Sequence, residues 1–159
     1  MSALRDVLVV LTVVTSALTA GLLSAFAYAI MPGLQRTAAP AAVAAMQRIN
    51  VAIVNPLFAL IFLGPLVFGG LAVLLCWGDP LRWYLVVGLA LASMSVAITL
   101  GFNVPLNNRL DAVGRVEADA ATAPWADFVG PWVRWNVIRA VASTAGVAVI
   151  VVGLVGAGS

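Results

Sequence analysis

The sequence has no histidine, one cysteine and a small net charge. Without histidine, the chain offers no imidazole to ligate a metal or haem and no side chain that titrates naturally near neutral pH. The single cysteine, Cys76, excludes an internal disulfide and a thiolate cluster. The net charge of +2 is too small to indicate a nucleic-acid partner.

Charged residues make up only 9% of the chain and hydrophobic residues 64%, with a mean hydropathy of +1.12. A soluble domain is about 25% charged, because water must solvate its surface. This chain cannot cover its surface in that way. The composition therefore predicts a membrane protein whose solvent is the lipid bilayer.

Four stretches without formal charge are long enough to cross the bilayer core, which takes about 20 helical residues. Helices are expected, because each satisfies its own backbone hydrogen bonds where no water is present. The prediction is an all-α, four-transmembrane-helix bundle with a short amphipathic helix between the first two spans. It forms a single membrane domain, residues 1–159, with spans at about 7–31, 57–77, 83–102 and 137–155 and polar connections at 32–56 and 103–136.

The first span also has features of a signal peptide, with Ala25, Phe26 and Ala27 as a cleavage site. Its apolar run is too long for one, however, and the charge of Arg5 is cancelled by Asp6. We therefore favour a retained helix.

Small residues recur at every fourth position in two spans, at residues 17–29 and 93–101. Such strips allow close helix packing in a membrane. Because alanine and glycine are common throughout this chain, chance recurrence is an equal alternative.

Residues 41–55 show the periodicity of an amphipathic helix. Met46, Ile49 and Ile53 fall on one side, and the opposite side is polar. Two interpretations stay open: the helix lies at the lipid headgroups, or its polar side lines a site. The second interpretation gives candidate binding residues Gln47, Asn50 and Asn55.

The third span ends in a cluster of carboxamides around Pro105. Asn103 and Asn107 share a face if the helix continues, and we expect Pro105 to disrupt it. A break at membrane depth is tolerated where it lines a cavity, although asparagine is also a common helix C-cap.

The fourth span places a lone arginine beside two indoles. We expect Pro131 in its first turn. On a helix, Trp132, Trp135, Asn136 and Arg139 then fall within one stripe. An arginine at mid-membrane costs about 2.5–3.5 kcal/mol on insertion scales, so it usually faces an interior partner or a watery cavity. The alternatives are extension to the interface, or pairing with Asp111 or Asp127. Arg139 beside indoles and an amide favours a flat, anionic or enolic aromatic ligand.

With these motifs, the chain resembles the DUF1772 family, the anthrone-oxygenase-like small membrane proteins. The motifs that support the resemblance are Met31-Pro32-Gly33-Leu34, Met46-Gln47-Arg48-Ile49-Asn50, Asn55-Pro56-Leu57-Phe58, Phe102-Asn103-Val104-Pro105-Leu106-Asn107 and Trp135-Asn136-Val137-Ile138-Arg139. The resemblance implies a multi-pass protein of the bacterial cytoplasmic membrane. It also implies an oxygenase, because some members oxidise anthrones to anthraquinones without a metal or organic cofactor.

Under this resemblance, the polar residues take specific roles. Arg139, with Asn136, Asn103 and Asn107 as donors, stabilises a developing oxyanion. Trp132 and Trp135 stack on the substrate ring. The base is either Asp111, the carboxylate nearest the asparagine cluster in sequence, or water near Arg139. The expected partners are a small apolar aromatic substrate, O₂ and the lipid bilayer, and a homo-oligomer is left open.

Two other functions remain to be distinguished. A non-catalytic accessory subunit of a membrane complex would use the same residues to bind a quinone or a lipid. A transporter needs a polar path between both sides of the membrane, whereas these polar residues gather on one side, which counts against transport.

Overall fold

The structure is a computed structural model that describes residues 2–115 and 117–157. Met1, Val116, Gly158 and Ser159, which fall within the predicted domain 1–159, lie outside the described residues. The described chain is helical almost throughout and contains no strand in those two segments, so the all-α prediction is confirmed.

Seven α-helices and two π-helical turns follow one another along the described chain. Four continuous helical stretches are long and apolar enough to cross a membrane, namely Ala3–Leu34, Pro56–Leu75, Leu81–Ala112 and Ala120–Gly156, which indicates a membrane protein. The elements are α1 (Ser2–Ala25), a π-helical turn (Phe26–Ile30), α2 (Met31–Leu34), α3 (Ala39–Ile53), α4 (Pro56–Leu75), α5 (Leu81–Ile98), a second π-helical turn (Thr99–Asn103), α6 (Val104–Ala112) and α7 (Ala118–Ala157).

The four long helices form a bundle in which neighbours in sequence are neighbours in space. α1 packs against α4 and α7, and α5 packs against α4 and α7, so the last helix closes the bundle against the first. The amphipathic helix α3 packs against α6 and α7 at one end. Its buried Met46 and partly buried Ile49 and Ile53 face this end, as the sequence predicts.

Each π-helical turn precedes a proline. In an α-helix, a proline ring clashes with the carbonyl four residues earlier. For Pro32 and Pro105, that carbonyl lies within the wider π-helical turn, and the helix continues beyond both prolines. The expected disruption by Pro105 is therefore local: the α-helix gives way to a π-helical turn that accommodates the ring, and the helix continues to Ala112.

The start of the fourth helix also differs from the prediction. α7 begins at Ala118, and Pro124 and Pro131 lie inside it rather than near its start. Packing accounts for the extension, because Trp125, Phe128 and Trp132 in this part of α7 belong to a buried apolar cluster with residues of α3. The predicted polar connection 103–136 is consequently helical at both ends, with only residues 113–117 between α6 and α7.

Helices approach closely at glycines outside the predicted strips. A Cβ atom at Gly88 would lie 2.5 Å from Ile150 Cδ1, and one at Gly153 would lie 2.5 Å from Tyr84 Cγ. By contrast, Gly21 and Gly101 in the predicted strips have nothing within 4 Å of that position. The glycines of the predicted strips therefore do not mediate helix–helix contacts within this chain.

Polar side chains occupy the middle of the bundle, between two apolar clusters. One cluster contains Met46, Leu110 and Trp132, and the other contains Leu85 and Ile150. Between them along the helices lie buried hydroxyl and amide groups and one guanidinium, of Thr12, Thr15, Ser16, Thr19, Ser95, Thr99, Asn103, Asn136, Arg139 and Ser143. This polar layer ends at a cavity beside the first cluster.

Candidate functional site

A cavity of about 180 Å³ opens at the end of the bundle that α3 covers. Its walls come from α1, both π-helical turns, α3, the first turn of α4, α6 and α7. Val54, Asn108 and Asp111 are exposed and form its mouth, whereas Arg139 and Asn103 are buried in its wall. The lining is mainly apolar and aromatic, with polar groups from Asn50, Thr99, Asn103, Asn107, Asn108, Asp111 and Arg139.

Arg139 is buried near the middle of α7, with 7% of its surface exposed. Its Nε and one terminal nitrogen donate to Asn136 Oδ1, at 3.2 and 3.0 Å, and the other terminal nitrogen donates to Thr99 Oγ1 at 2.9 Å. These acceptors are neutral, and within residues 2–115 and 117–157 the guanidinium forms no salt bridge. The predicted alternatives of interfacial extension and pairing with Asp111 or Asp127 are therefore wrong.

Asn136 fixes the guanidinium and joins two helices. It is fully buried, and its Nδ2 donates to the carbonyl of Leu23 in α1 at 3.0 Å. Because this bond holds the amide nitrogen toward α1, the amide oxygen points toward Arg139 and accepts from it. Asn136 therefore positions the guanidinium and does not line the cavity itself, in contrast to its predicted role as a donor to the ligand.

Trp132 forms one wall of the cavity and is 2% exposed. Its Nε1 donates to Asn107 Oδ1 at 2.7 Å, and the Arg139 guanidinium carbon lies 5.4 Å from the ring centroid, within range of a cation–π contact. Phe26 packs against the indole, with 5.6 Å between the ring centroids. These contacts hold the indole in one orientation beside the guanidinium.

Asn103 lies in the same wall and is 1% exposed. Its Nδ2 donates to the backbone carbonyl of Trp132 at 3.2 Å, while its Oδ1 has no hydrogen-bond partner among the described residues. Asn103 was predicted to donate to an oxyanion. In the structure one N–H of its amide already donates to the Trp132 carbonyl, and its oxygen is an unused acceptor.

The one carboxylate of the lining belongs to Asp111, at the mouth. Asn50 Nδ2 donates to Asp111 Oδ1 at 3.2 Å, which links α3 to α6 across the opening. Asp111 is exposed and therefore faces both the cavity and water. Asn50 lines the cavity as predicted.

Three predicted binding residues lie outside the cavity. Trp135 stacks on Phe102, with ring centroids 3.8 Å apart, because it falls at the edge of the predicted stripe. Gln47 Nε2 donates to the carbonyls of Leu110 and Gly114 at the end of α6. Asn55 caps α4, accepting from the backbone N–H of Phe58 at 2.9 Å. All three therefore have structural roles.

Three residues of the lining were not predicted, namely Thr99, Phe26 and Phe58. Thr99 is buried and accepts from Arg139, and it lies four residues before Asn103 in the same π-helical turn. Residues four positions apart share a helix face, so its spacing to Asn103 is the sequence signal from which Thr99 could have been predicted. The two phenylalanines line the cavity from the first π-helical turn and from α4, and apolar residues in spans carry no comparable signal.

No group of three or more histidine, cysteine, aspartate or glutamate residues that could hold a metal ion occurs in the described part of the chain. The polar groups around the cavity are carboxamides, a hydroxyl, a guanidinium and the Asp111 carboxylate. This set can bind an anionic oxygen at one place and accept a hydrogen bond at another.

Comparison with known proteins identifies a family. The model of the anthrone oxygenase family matches residues 52–149, which is more than half of the chain. The match begins at the end of α3 and continues into α7, so it includes Asn103, Asn107, Asp111 and Arg139. No curated protein and no solved structure matches the chain.

Proposed function

The chain belongs to the anthrone oxygenase family, and we propose that it is a membrane-embedded, cofactor-independent oxygenase. Its substrate in this proposal is a planar aromatic molecule of the anthrone or hydroquinone type. We place it in the cytoplasmic membrane of a bacterium, where the lipid concentrates both an apolar substrate and O₂.

The observation that carries the proposal is the buried charge of Arg139. A buried cation is costly unless an anion or several hydrogen bonds compensate it. Three of its five N–H groups bond to neutral acceptors, and the other two, beside the cavity, have no acceptor within residues 2–115 and 117–157. A ligand whose oxygen becomes negative during reaction would complete this arrangement, and donors held in place before the reaction stabilise such an oxyanion most strongly.

The shape of the cavity supports a planar ring. A dry protein cavity of about 150 Å³ can bind benzene, whereas sites that enclose drug-sized ligands start at about 300 Å³. The volume of about 180 Å³ therefore accommodates one or two rings, and a larger ring system extends through the mouth. Trp132 provides a flat wall for stacking, and Phe26 and Phe58 add aromatic contacts.

The proposed reaction converts the methylene opposite an aryl ketone into a second carbonyl. A base removes one methylene proton, and the charge moves to the ketone oxygen as an enolate. The enolate passes one electron to O₂, and the resulting radical and superoxide join in a C–O bond. After protonation, the peroxide loses the second methylene proton while its O–O bond breaks, leaving a ketone and hydroxide. Both methylene hydrogens end in the released water, and the substrate supplies all four electrons.

Within this reaction, Arg139 stabilises the enolate oxygen, and Asn136 and Thr99 hold the guanidinium in position. Asp111 is our candidate for the base, because it is the carboxylate that lines the cavity. Its exposure at the mouth also gives the removed proton a way into water. A positioned base contributes a factor of about 10²–10⁴ to the rate.

The test is oxygen uptake by the purified protein with anthrone, after subtraction of the uncatalysed oxidation. We expect one O₂ consumed per anthraquinone formed, at a rate that chelators and added flavin leave unchanged. Arg139→Met should lower kcat/KM by about 10²–10³, the effect of losing an oxyanion donor. The matched control is Arg134→Met, because Arg134 is exposed on the same helix and should leave the rate unchanged.

Two results would contradict the proposal: no uptake above background, or undiminished uptake by Arg139→Met. Tight binding of a quinone or lipid without oxygen consumption would instead support a non-catalytic accessory subunit. That function uses the same cavity but needs no base at the mouth.

A further inference from the structure

The side-chain oxygen of Asn103 has no hydrogen-bond partner in the part of the chain that the structure describes, although the residue is 1% exposed and lines the cavity. Buried polar atoms are almost always paired, and leaving one unpaired is costly. An unpaired acceptor in a cavity wall is therefore a specific feature that a ligand can satisfy.

The orientation of this amide follows from its neighbour. Asn103 Nδ2 is 3.2 Å from the backbone oxygen of Trp132, which can only accept a hydrogen bond. Rotating the amide by 180° would place two oxygens against each other. The Trp132 carbonyl thus keeps the nitrogen on its own side and leaves Oδ1 as the free acceptor.

We propose that Asn103 determines substrate specificity by accepting a hydrogen bond from a hydroxyl group of the bound aromatic ring. Arg139 offers only donors to the cavity, and Asn103 offers an acceptor. The matching ligand carries two oxygens: one that accepts from the guanidinium, and a hydroxyl that donates to Asn103. This inference rests on the proposed function in taking the ligand to be a planar aromatic oxygen compound.

The consequence is a preference among aromatic substrates that differ by one hydroxyl. A site that hydrogen-bonds a substrate hydroxyl rejects an analogue lacking it, because its buried polar group then stays unpaired. An apolar cavity without such an acceptor distinguishes a hydroxylated ring from its parent only weakly. Asn103 therefore separates phenolic from unsubstituted rings at the buried wall of the cavity, whereas Asp111 accepts hydrogen bonds at the exposed mouth, where water can replace a ligand.

The experiment measures binding without oxygen, so that no reaction interferes. The probes are 1,3-, 1,5- and 1,8-dihydroxynaphthalene, and 1-naphthol lacks the second hydroxyl in each comparison. Quenching of tryptophan fluorescence reports occupancy, because Trp132 lines the cavity. We expect the best-fitting diol to bind at least about 10-fold more tightly than 1-naphthol.

Asn103→Leu removes the acceptor and should reduce this preference to about 2-fold or less, whatever it does to overall affinity. Because two ligands are compared within each protein, the result does not depend on the fraction of the variant that folds. The preference of the wild-type protein tests the inference even if the variant does not fold. The matched control is Asn55→Leu, because Asn55 lies outside the cavity, and this variant should keep the wild-type preference.

The inference is overturned if no diol binds wild type better than 1-naphthol, or if Asn103→Leu keeps the full preference. Oxygen uptake separates this result from the proposed function. If the preference is found but anthrone is not oxidised, the role of Asn103 as a hydroxyl acceptor is supported and the proposed oxygenase activity is contradicted. If anthrone is oxidised but no preference appears, the oxygenase activity is supported and the proposed role of Asn103 is contradicted.

Discussion

Arg139 and Asn136, one helical turn apart on α7, form a two-nitrogen contact with a single oxygen: Nε and a terminal nitrogen donate to Asn136 Oδ1 at 3.2 and 3.0 Å. Asn136 in turn donates to the Leu23 carbonyl of α1 at 3.0 Å. The position of the buried charge therefore depends on the packing of α7 against α1.

Replacing Asn136 with aspartate should inhibit turnover by neutralising Arg139 internally. A carboxylate 3 Å from the guanidinium competes with the ligand oxyanion for the same charge, so kcat/KM should fall by about 10²-fold. Steady-state oxygen uptake measures the change. Asn55→Asp is the control, because aspartate caps a helix as well as asparagine does and should preserve the rate. A fully active Asn136→Asp protein would contradict the proposed role of the guanidinium.

Trp132 and Trp135 should differ sharply in their effect on ligand binding. Trp132→Phe loses the hydrogen bond to Asn107 and part of the cavity wall, so the dissociation constant for a planar ligand should rise by about 10-fold. Trp135→Phe should bind normally, because Trp135 packs on Phe102 outside the cavity. Isothermal titration with each variant tests this. The reverse pattern would place the ligand elsewhere.

Asp111→Asn should keep the shape of the mouth while removing a base. If Asp111 accepts the methylene proton, kcat should fall by about 10²-fold or more, while ligand binding changes little. Asp127→Asn is the control, because Asp127 is an exposed carboxylate of α7 that does not line the cavity. If kcat is unchanged in Asp111→Asn, Asp111 is not the base, and the methylene proton is instead removed by water near Arg139.

Two glycine-to-alanine substitutions should have opposite effects on stability. A methyl group at Gly153 would lie 2.5 and 2.7 Å from Tyr84 Cγ and Cβ, atoms near the backbone that cannot swing away. Overpacking of this kind costs about 1–3 kcal/mol of unfolding free energy. At Gly21 nothing lies within 4 Å, so alanine should stabilise the helix by up to about 1 kcal/mol. Unfolding in detergent with denaturant measures both, and equal effects would contradict the packing of α5 against α7.

The fold was largely predictable, because long uncharged stretches indicate membrane spans and the periodicity of apolar residues indicates an amphipathic helix. The absence of charge identified four spans, and the repeat of Met46, Ile49 and Ile53 identified α3. Helix ends were less predictable. Local sequence marks prolines as breaks, whereas packing of Trp125 and Phe128 against α3 extends α7 through two of them.

The site was predictable only in part, because helical projection is too coarse to separate neighbouring residues. Successive residues on a helix differ by about 100°, so Trp135 falls about 60° from Trp132. That difference turns Trp135 toward Phe102. The burial of Arg139 was predictable from its position within a span, because an arginine at mid-membrane usually faces the interior of a bundle. The free acceptor of Asn103 depends on where the Trp132 carbonyl lies, which sequence does not specify.

The central claim, that Arg139 stabilises a negative oxygen on a planar ligand, is tested most directly by the pKa of a bound phenol. The probe is 4-nitro-1-naphthol, whose anion absorbs visible light, titrated anaerobically in complex with the protein. We expect binding to wild type to lower the pKa of the phenol by about one pH unit or more, which corresponds to at least about 1.4 kcal/mol. In Arg139→Met, burial without the cation should raise it above the value in water. A wild-type complex whose bound phenol titrates at or above the pKa of the free phenol would contradict the account.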